Sequence, residues 1–368
     1  MNILTVVSLL VGLVLLVGGA EFLIKGASKL AATIGVSPLV IGLTVVAFGT
    51  SAPELAVSLN ASLHGQADIS LGNVVGSNIC NVLLILGVSS LIAPLVVAQQ
   101  LVRLDVPIMI GVSALLMMFG LDGQLHRSDG VVLFLGGLAY TVFLLYQSRK
   151  EEDQNVLDEY ANFGTRSLSS KETVWNVVMF AGGSLTLVLG SQMLVNSAVA
   201  IAEFFGASSL IIGLTVIALG TSLPELATSV MASVRGERDI AVGNVIGSNI
   251  FNILVVLGLT SAVSTTGINV SPSAMTFDIP VMLAVAVMCL PIFFTGNEVS
   301  RREGVLLLAY YLLYIGYLVT HATDPYAPWA GLFSVVVVPL TILMLVRLSW
   351  RTWQTMQQKR ELLDASKD

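Results

Sequence analysis

Charge is what this sequence has least of. Only 11% of its 368 residues are Asp, Glu, Lys or Arg, whereas 55% are hydrophobic. A soluble domain carries about 25% charged residues, and so sparse a set cannot cover a water-exposed particle of this size. The two cysteines, Cys80 and Cys289, both lie in apolar runs, too few for a disulfide framework and without zinc-site spacing. Histidine is confined to His64, His126 and His321, each expected in a solvated loop. With 17 basic residues against 23 acidic ones, no basic surface is left for a polyanion, which excludes nucleic acid as a partner. HExxH, paired membrane aspartates and a Ser/His pair are also lacking, which speaks against an intramembrane enzyme.

What the chain has is hydrophobic length. A membrane-spanning helix needs about 17–25 apolar residues. Eleven segments qualify, near 3–24, 36–62, 70–95, 104–121, 130–147, 173–195, 208–233, 240–264, 275–295, 303–320 and 328–348. The first lacks the basic flank and small-residue cleavage site of a signal peptide, so it is expected to stay as a span. One polar stretch, Gln147–Lys171, divides the chain near its middle. The expected fold class is an all-α polytopic membrane protein. Placing the N-terminus outside puts 16 of the 17 Lys and Arg residues on the inner side, with Arg127 the exception. That is the bias inner loops show. The expected location is a plasma membrane of prokaryotic type, with the C-terminus cytoplasmic.

The strongest signal is internal repetition. Leu39–Gly87 aligns without a gap to Leu210–Gly258 at an offset of 171, with 31 of 49 positions identical. Five crossings separate corresponding points, and an odd number inverts one copy relative to the other. Inverted repeats of this kind build secondary transporters, whose binding site lies near the midplane at the repeat interface. The chain is therefore expected to comprise a first five-helix repeat (1–147, motif about 39–87), a cytoplasmic linker (148–172), a second inverted repeat (173–320, motif about 210–258) and an additional span with a tail (321–368).

Within the repeat the retained polar residues fall at helical spacing. Thr44, Ala47, Ser51, Glu54 and Ser58 share one face, as do Thr215, Ala218, Ser222, Glu225 and Ser229. Asn73, Ser77 and Asn81 form a second stripe, matched by Asn244, Ser248 and Asn252. Four such faces would enclose hard oxygen donors of the kind that suit Na+ and Ca2+. Pro53 and Pro224 displace the carbonyls of Gly49 and Gly220, so freed carbonyls are expected around Ala47, Thr50, Ala218 and Thr221. Glu54 and Glu225 lie midway along their spans, where a lone carboxylate is costly and marks a functional site. One Ca2+, two Na+ or two protons would each neutralise the pair, and such competition is the physical basis of exchange. Glu21, Glu203, Asp105 and Asp278 lie near span ends and read as interface anchors or helix-terminus charges. Gly72 with Gly76, and Gly243 with Gly247, are expected to permit close helix packing.

These paired GTSxPE and GNVxGSN segments resemble the α-repeats of the calcium/cation antiporter superfamily, in its sodium/calcium exchanger branch. The resemblance implies a ten-helix core and a cytoplasmic central loop. It implies that Glu54 and Glu225 bridge Ca2+ with the carbonyls of Thr50 and Thr221. It further implies flanking sodium sites that use Ala47, Ser51 and Ser248 on one side and Ala218, Ser222 and Ser77 on the other, with Asn81 and Asn252 lining the middle. Alternating access would slide the first and sixth spans, whose glycines (Gly12, Gly18, Gly19, Gly182, Gly183, Gly190) permit bending, over a fixed core. The function implied is Na+/Ca2+ antiport, with transported ions rather than a cofactor and no obligate protein partner. A potassium-dependent exchanger is the alternative, disfavoured because such relatives carry Asp where this chain has Asn252. A proton-driven exchanger is another, disfavoured because the Gly72–Gly76 segment has no acid. A non-transporting sensor is the remote third reading. The eleventh span lies beyond the ten-helix core.

Overall fold

A computed structural model describes residues 3–34, 36–64, 66–148, 170–205, 218–294 and 296–323. The central linker up to residue 169, the start of the seventh span with Thr215, and the eleventh span with its tail lie outside the described residues.

The described residues are mostly helical, with eight helices long and apolar enough to span, one further span in two bent pieces, and the described part of the seventh hydrophobic run also helical. They are Ile3–Ile34, a broken second span (Pro38–Thr50 and Ala52–Leu63), Ile69–Ile92, Leu101–Asp122, Arg127–Ser148 and Ser170–Phe204. The seventh is described from Ala218 as Ala218–Gly220 and Leu223–Arg235, followed by Arg238–Val263, Ala274–Phe294 and Arg301–Thr323. The first and sixth outrun their apolar stretches, at 32 and 35 residues. At 1.5 Å per residue each is about 50 Å long, more than the ~30 Å hydrocarbon layer requires.

Burial separates the spans by depth. In the third and eighth spans 72% and 89% of the most apolar window is buried, against 22% in the first and sixth. The repeat hairpins thus form the centre. The first and sixth spans lie outside it with apolar side chains such as Val14, Val17, Val178 and Leu185 exposed, as lipid-facing helices do.

Glycine sets several of the close approaches. A side chain at Gly19 would strike Leu187 N and Gly183 O at 2.7 and 2.9 Å, and one at Gly190 would strike Leu16 N and Gly12 O at 2.6 and 2.8 Å. The first and sixth spans therefore run antiparallel with their backbones in contact. Gly18 and Gly182, grouped with these on sequence, have nothing within 4 Å. Gly243 and Gly247 press on Leu39 and Leu43 of the second span, as expected of a close-packing pair. The matching partners of Gly72 and Gly76, 171 residues on from Leu39 and Leu43, are Leu210 and Leu214, which lie outside the described residues; among the described residues nothing lies within 4 Å of either glycine.

Two small antiparallel ladders tie the halves together at opposite ends. Strand β1 (Leu95–Val96), after the third span, pairs with β4 (Glu298–Val299), between the ninth and tenth. Strand β2 (Gln124–Leu125), between the fourth and fifth spans, pairs with β3 (Ile268–Asn269), between the eighth and ninth. Each ladder joins loops separated by an even number of spans, as the inverted ten-span topology requires.

Candidate cation-binding site

The second span bends by 45° at its break. Ser51 sits there at φ −83°, ψ 8°, and Ser222 takes φ −87°, ψ 3° at the matching point. Neither backbone is helical. Pro53 and Pro224 occupy the first turn of the helices that restart beyond these serines. A helix leaves its first N–H groups without intrahelical acceptors, so a residue lacking an N–H costs little there. Each proline thus begins a new helix rather than kinking an old one, with its glutamate in the first turn.

The break also redistributes carbonyls. Gly220 O, displaced by Pro224, accepts the Ser191 hydroxyl of the sixth span at 2.6 Å. Ala47 O accepts the Ser51 N–H at 2.9 Å and also lies 3.3 Å from the Thr50 hydroxyl, whose single proton has a second acceptor in Asn244 Oδ1 at 3.1 Å. Ala218 opens the short helix before the second break.

Glu54 and Glu225 are both fully buried, and the hydroxyl of Ser51, three residues before Glu54, donates to Glu225 Oε1 at 2.9 Å. Two asparagines hold the helices that carry them. Asn73 Nδ2 donates to Glu54 O (3.3 Å) and Ser58 Oγ (3.1 Å). Asn244 Nδ2 donates to Glu225 O (3.4 Å) and Ser229 Oγ (2.9 Å). Their amide oxygens face the other repeat, where Asn73 Oδ1 accepts the Thr221 hydroxyl (3.3 Å) and Asn244 Oδ1 that of Thr50 (3.1 Å). The two halves are cross-stitched at the level of the carboxylates.

The remaining predicted residues share one property. Both oxygens of Glu54, Oε2 of Glu225, the hydroxyls of Ser77, Ser222 and Ser248, and Oδ1 of Asn81 and Asn252 are buried without a well-aligned hydrogen-bond partner. They account for eight of the thirteen such side-chain atoms among the described residues. Buried polar atoms are almost always paired, so this concentration of oxygens in one place sets the region apart from the rest of the described core. Among the described residues no group of three His, Cys, Asp or Glu side chains gathers, and the donor set is one of carboxylate, hydroxyl and amide oxygens.

Some sequence expectations change. Thr44 is not on the polar face. A π-helical turn at Gly42–Val46 shifts the register, its hydroxyl folds back to Val40 O, and it lines an outer groove with Phe48, Tyr140 and Phe251. Asp105 is no interface anchor. It is fully buried and accepts from Tyr140 Oη (2.8 Å) and Gln100 Nε2 (3.2 Å). Asp278 is likewise bonded to Tyr314, at 3.4 Å, in the second repeat. Glu21 links the first span to the seventh, at 2.6 Å from both Lys25 and Arg235. Asn78 and Asn249, not singled out from the sequence, lie between the two middle asparagines. Their identity in both copies was the available signal, but they fall off the four-residue stripe.

Comparison with known proteins agrees with this architecture. The family described as "Sodium/calcium exchanger protein" matches residues 4–148 and 175–320. The inner membrane protein YrbG of Escherichia coli is 40% identical over 312 residues, covering 84% of this chain and 95% of its own. The sodium/calcium exchanger MaX1 of Methanosarcina acetivorans is 35% identical, covering 83% and 96%. The solved sodium/calcium exchanger from Methanococcus jannaschii superposes with a TM-score of 0.73 at 31% identity, covering 86% of this chain and 99% of that one.

Proposed function

Since the chain belongs to the sodium/calcium exchanger family, we propose that it exchanges Na+ for Ca2+ at a midplane site built on Glu54 and Glu225. Cation antiport and a multi-pass membrane protein that is not an enzyme follow from the family itself. The site, the alternating access and the orientation are our reading.

The observation that carries it is the set of eight unpaired buried oxygens on Glu54, Glu225, Ser77, Ser222, Ser248, Asn81 and Asn252. An uncompensated carboxylate away from water is strongly disfavoured, and two close together are worse. One Ca2+ cancels both charges and takes six to eight oxygens. Two Na+ cancel them equally well. Either load neutralises the core, so the ions compete, while the empty dianionic site resists passage through the low-dielectric barrier. Ala47, Ala218, Thr50 and Thr221 contribute backbone carbonyls at the helix breaks. The first and sixth spans, outside the buried hairpins and in mutual backbone contact, are the moving pair. The N-terminus lies outside a prokaryotic plasma membrane, residues 1–147 and 173–320 form the two repeats, and residues 148–172 the cytoplasmic linker.

The test is flux. Purified protein in Na+-loaded vesicles is expected to accumulate radiolabelled Ca2+ on dilution into Na+-free medium, with K+ and pH gradients without effect. Uptake indifferent to the Na+ gradient but driven by a pH gradient would refute it.

A further inference from the structure

The four buried asparagines of the third and eighth spans form a directed relay. Asn78 Nδ2 donates to the backbone oxygen of Asn249 at 3.1 Å, and Asn249 Nδ2 donates to the backbone oxygen of Asn78 at 3.4 Å. A carbonyl oxygen only accepts, so these bonds fix which end of each amide is nitrogen. The remaining N–H of each points at a sulfur, Met282 Sδ for Asn78 (3.7 Å) and Met109 Sδ for Asn249 (3.5 Å). The Oδ1 atoms of Asn78 and Asn249 are thereby committed as acceptors. Asn252 Nδ2 donates to Asn78 Oδ1 at 3.1 Å, and Asn81 Nδ2 to Asn249 Oδ1 at 3.0 Å. Each terminal amide therefore turns its oxygen the other way, and Asn81 Oδ1 and Asn252 Oδ1 are the two atoms left unpaired.

We infer that Asn78 and Asn249 are positioning residues that force the amides of Asn81 and Asn252 to present oxygen, never N–H, to the transported cation. An isolated asparagine beside a cation site can rotate its amide and offer two donors, which repel the ion. Here the backbone of one repeat sets the polarity of a terminal amide on the same repeat, through a single intermediary asparagine on the other. The inference rests on the cation site proposed above and adds a role for two residues outside it.

The experiment uses the full chain and a rescue that only this logic predicts. Asn249→Ala releases Asn81, and Asn78→Ala releases Asn252. Each is expected to weaken apparent Na+ or Ca2+ affinity about tenfold or more, as loss of a ligand's outer partner does. A carboxylate shows oxygen in either orientation. Asn81→Asp should therefore restore affinity in the Asn249→Ala background and Asn252→Asp should not, and the preference should swap in the Asn78→Ala background. Asn249→Ser, a milder change, should act in the same direction if the alanine variant is unstable. Affinity is read both from vesicle flux and from ion-dependent stabilisation of the detergent-purified protein, which needs no transport. Wild-type affinity in the alanine variants, or rescue without pair preference, overturns the relay. Wild-type protein that binds neither Na+ nor Ca2+ overturns the site reading itself, and the relay with it.

Discussion

At the level of single residues, the chain spends two of its few charges where charge is most costly, and leaves three of their four oxygens without a well-aligned hydrogen-bond partner. Replacing either carboxylate by its isosteric amide keeps the shape and removes the charge. Glu54→Gln and Glu225→Gln are each expected to reduce Na+-driven Ca2+ uptake to the level of protein-free vesicles. Both should purify as folded protein with a melting temperature at or above that of the wild type, because a repelling buried charge has been removed. Full uptake in either variant refutes the assignment. The carboxylates were legible in the sequence because mid-span acids are rare and these two recur at matching positions. Asn78 and Asn249 were not, because their role is to orient another side chain, and no periodicity reports which way an amide points. Asp105 was misread for a related reason: its distance from the span end is visible in sequence, but the Tyr140 hydroxyl that covers it is not.

Among elements, the seam between the first and sixth spans makes the sharpest matched comparison. Gly19 faces the backbone of Leu187 and Gly183, whereas its neighbour Gly18 faces open space. Gly19→Leu is expected to destabilise by about 1–3 kcal/mol, as overpacking does, and to slow exchange. Gly18 is half-buried but has nothing within 4 Å of a Cβ among the described residues, so Gly18→Leu should cost less than Gly19→Leu by about 1 kcal/mol or more, with uptake unchanged. Thermal unfolding and flux of the two variants check this, and equal effects would contradict the packing. The seam was only partly legible, since both glycines occur in one GG pair and only the azimuth of the helix tells them apart. Thr44 shows the converse limit. Its spacing to Ala47 and Ser51 is correct for an uninterrupted α-helix, and one π-helical turn carries it off that face. The ends of the first and sixth spans were also misjudged, because hydrophobicity stops at polar residues such as Glu21 and Lys25 while the helix continues through them.

For the molecule as a whole, the alternating access proposed above would interchange two forms related by the pseudo-two-fold rotation of the inverted repeats, so small differences between the repeats would decide their balance. The inverted-repeat architecture was legible at this scale because the two motifs match without a gap and an odd number of hydrophobic runs separates them. One difference is an ion pair. Glu21 meets Arg235 at 2.6 Å, but the positions 171 residues away are Gln192 and His64, which form no charged counterpart. An exposed pair contributes about 0.2–1 kcal/mol, so Arg235→Gln should shift the two-state ratio by at most about fivefold toward opening on the Arg235 side. Labelling of a single cysteine placed near Glu21, with and without 0.5 M salt, would register it. An unchanged labelling rate would show that the pair does not latch. The ladders at the two ends have a consequence for how the molecule is made. Leu95 pairs with Val299, and Gln124 with Asn269, so the first repeat leaves the ribosome with both its clasp strands unmatched. At about 5–20 residues per second, it waits on the order of ten seconds or more in the bilayer before the second repeat arrives. Translation that stalls in the second half would therefore strand a half-transporter with open strand edges, and that species is the natural target for quality-control proteases.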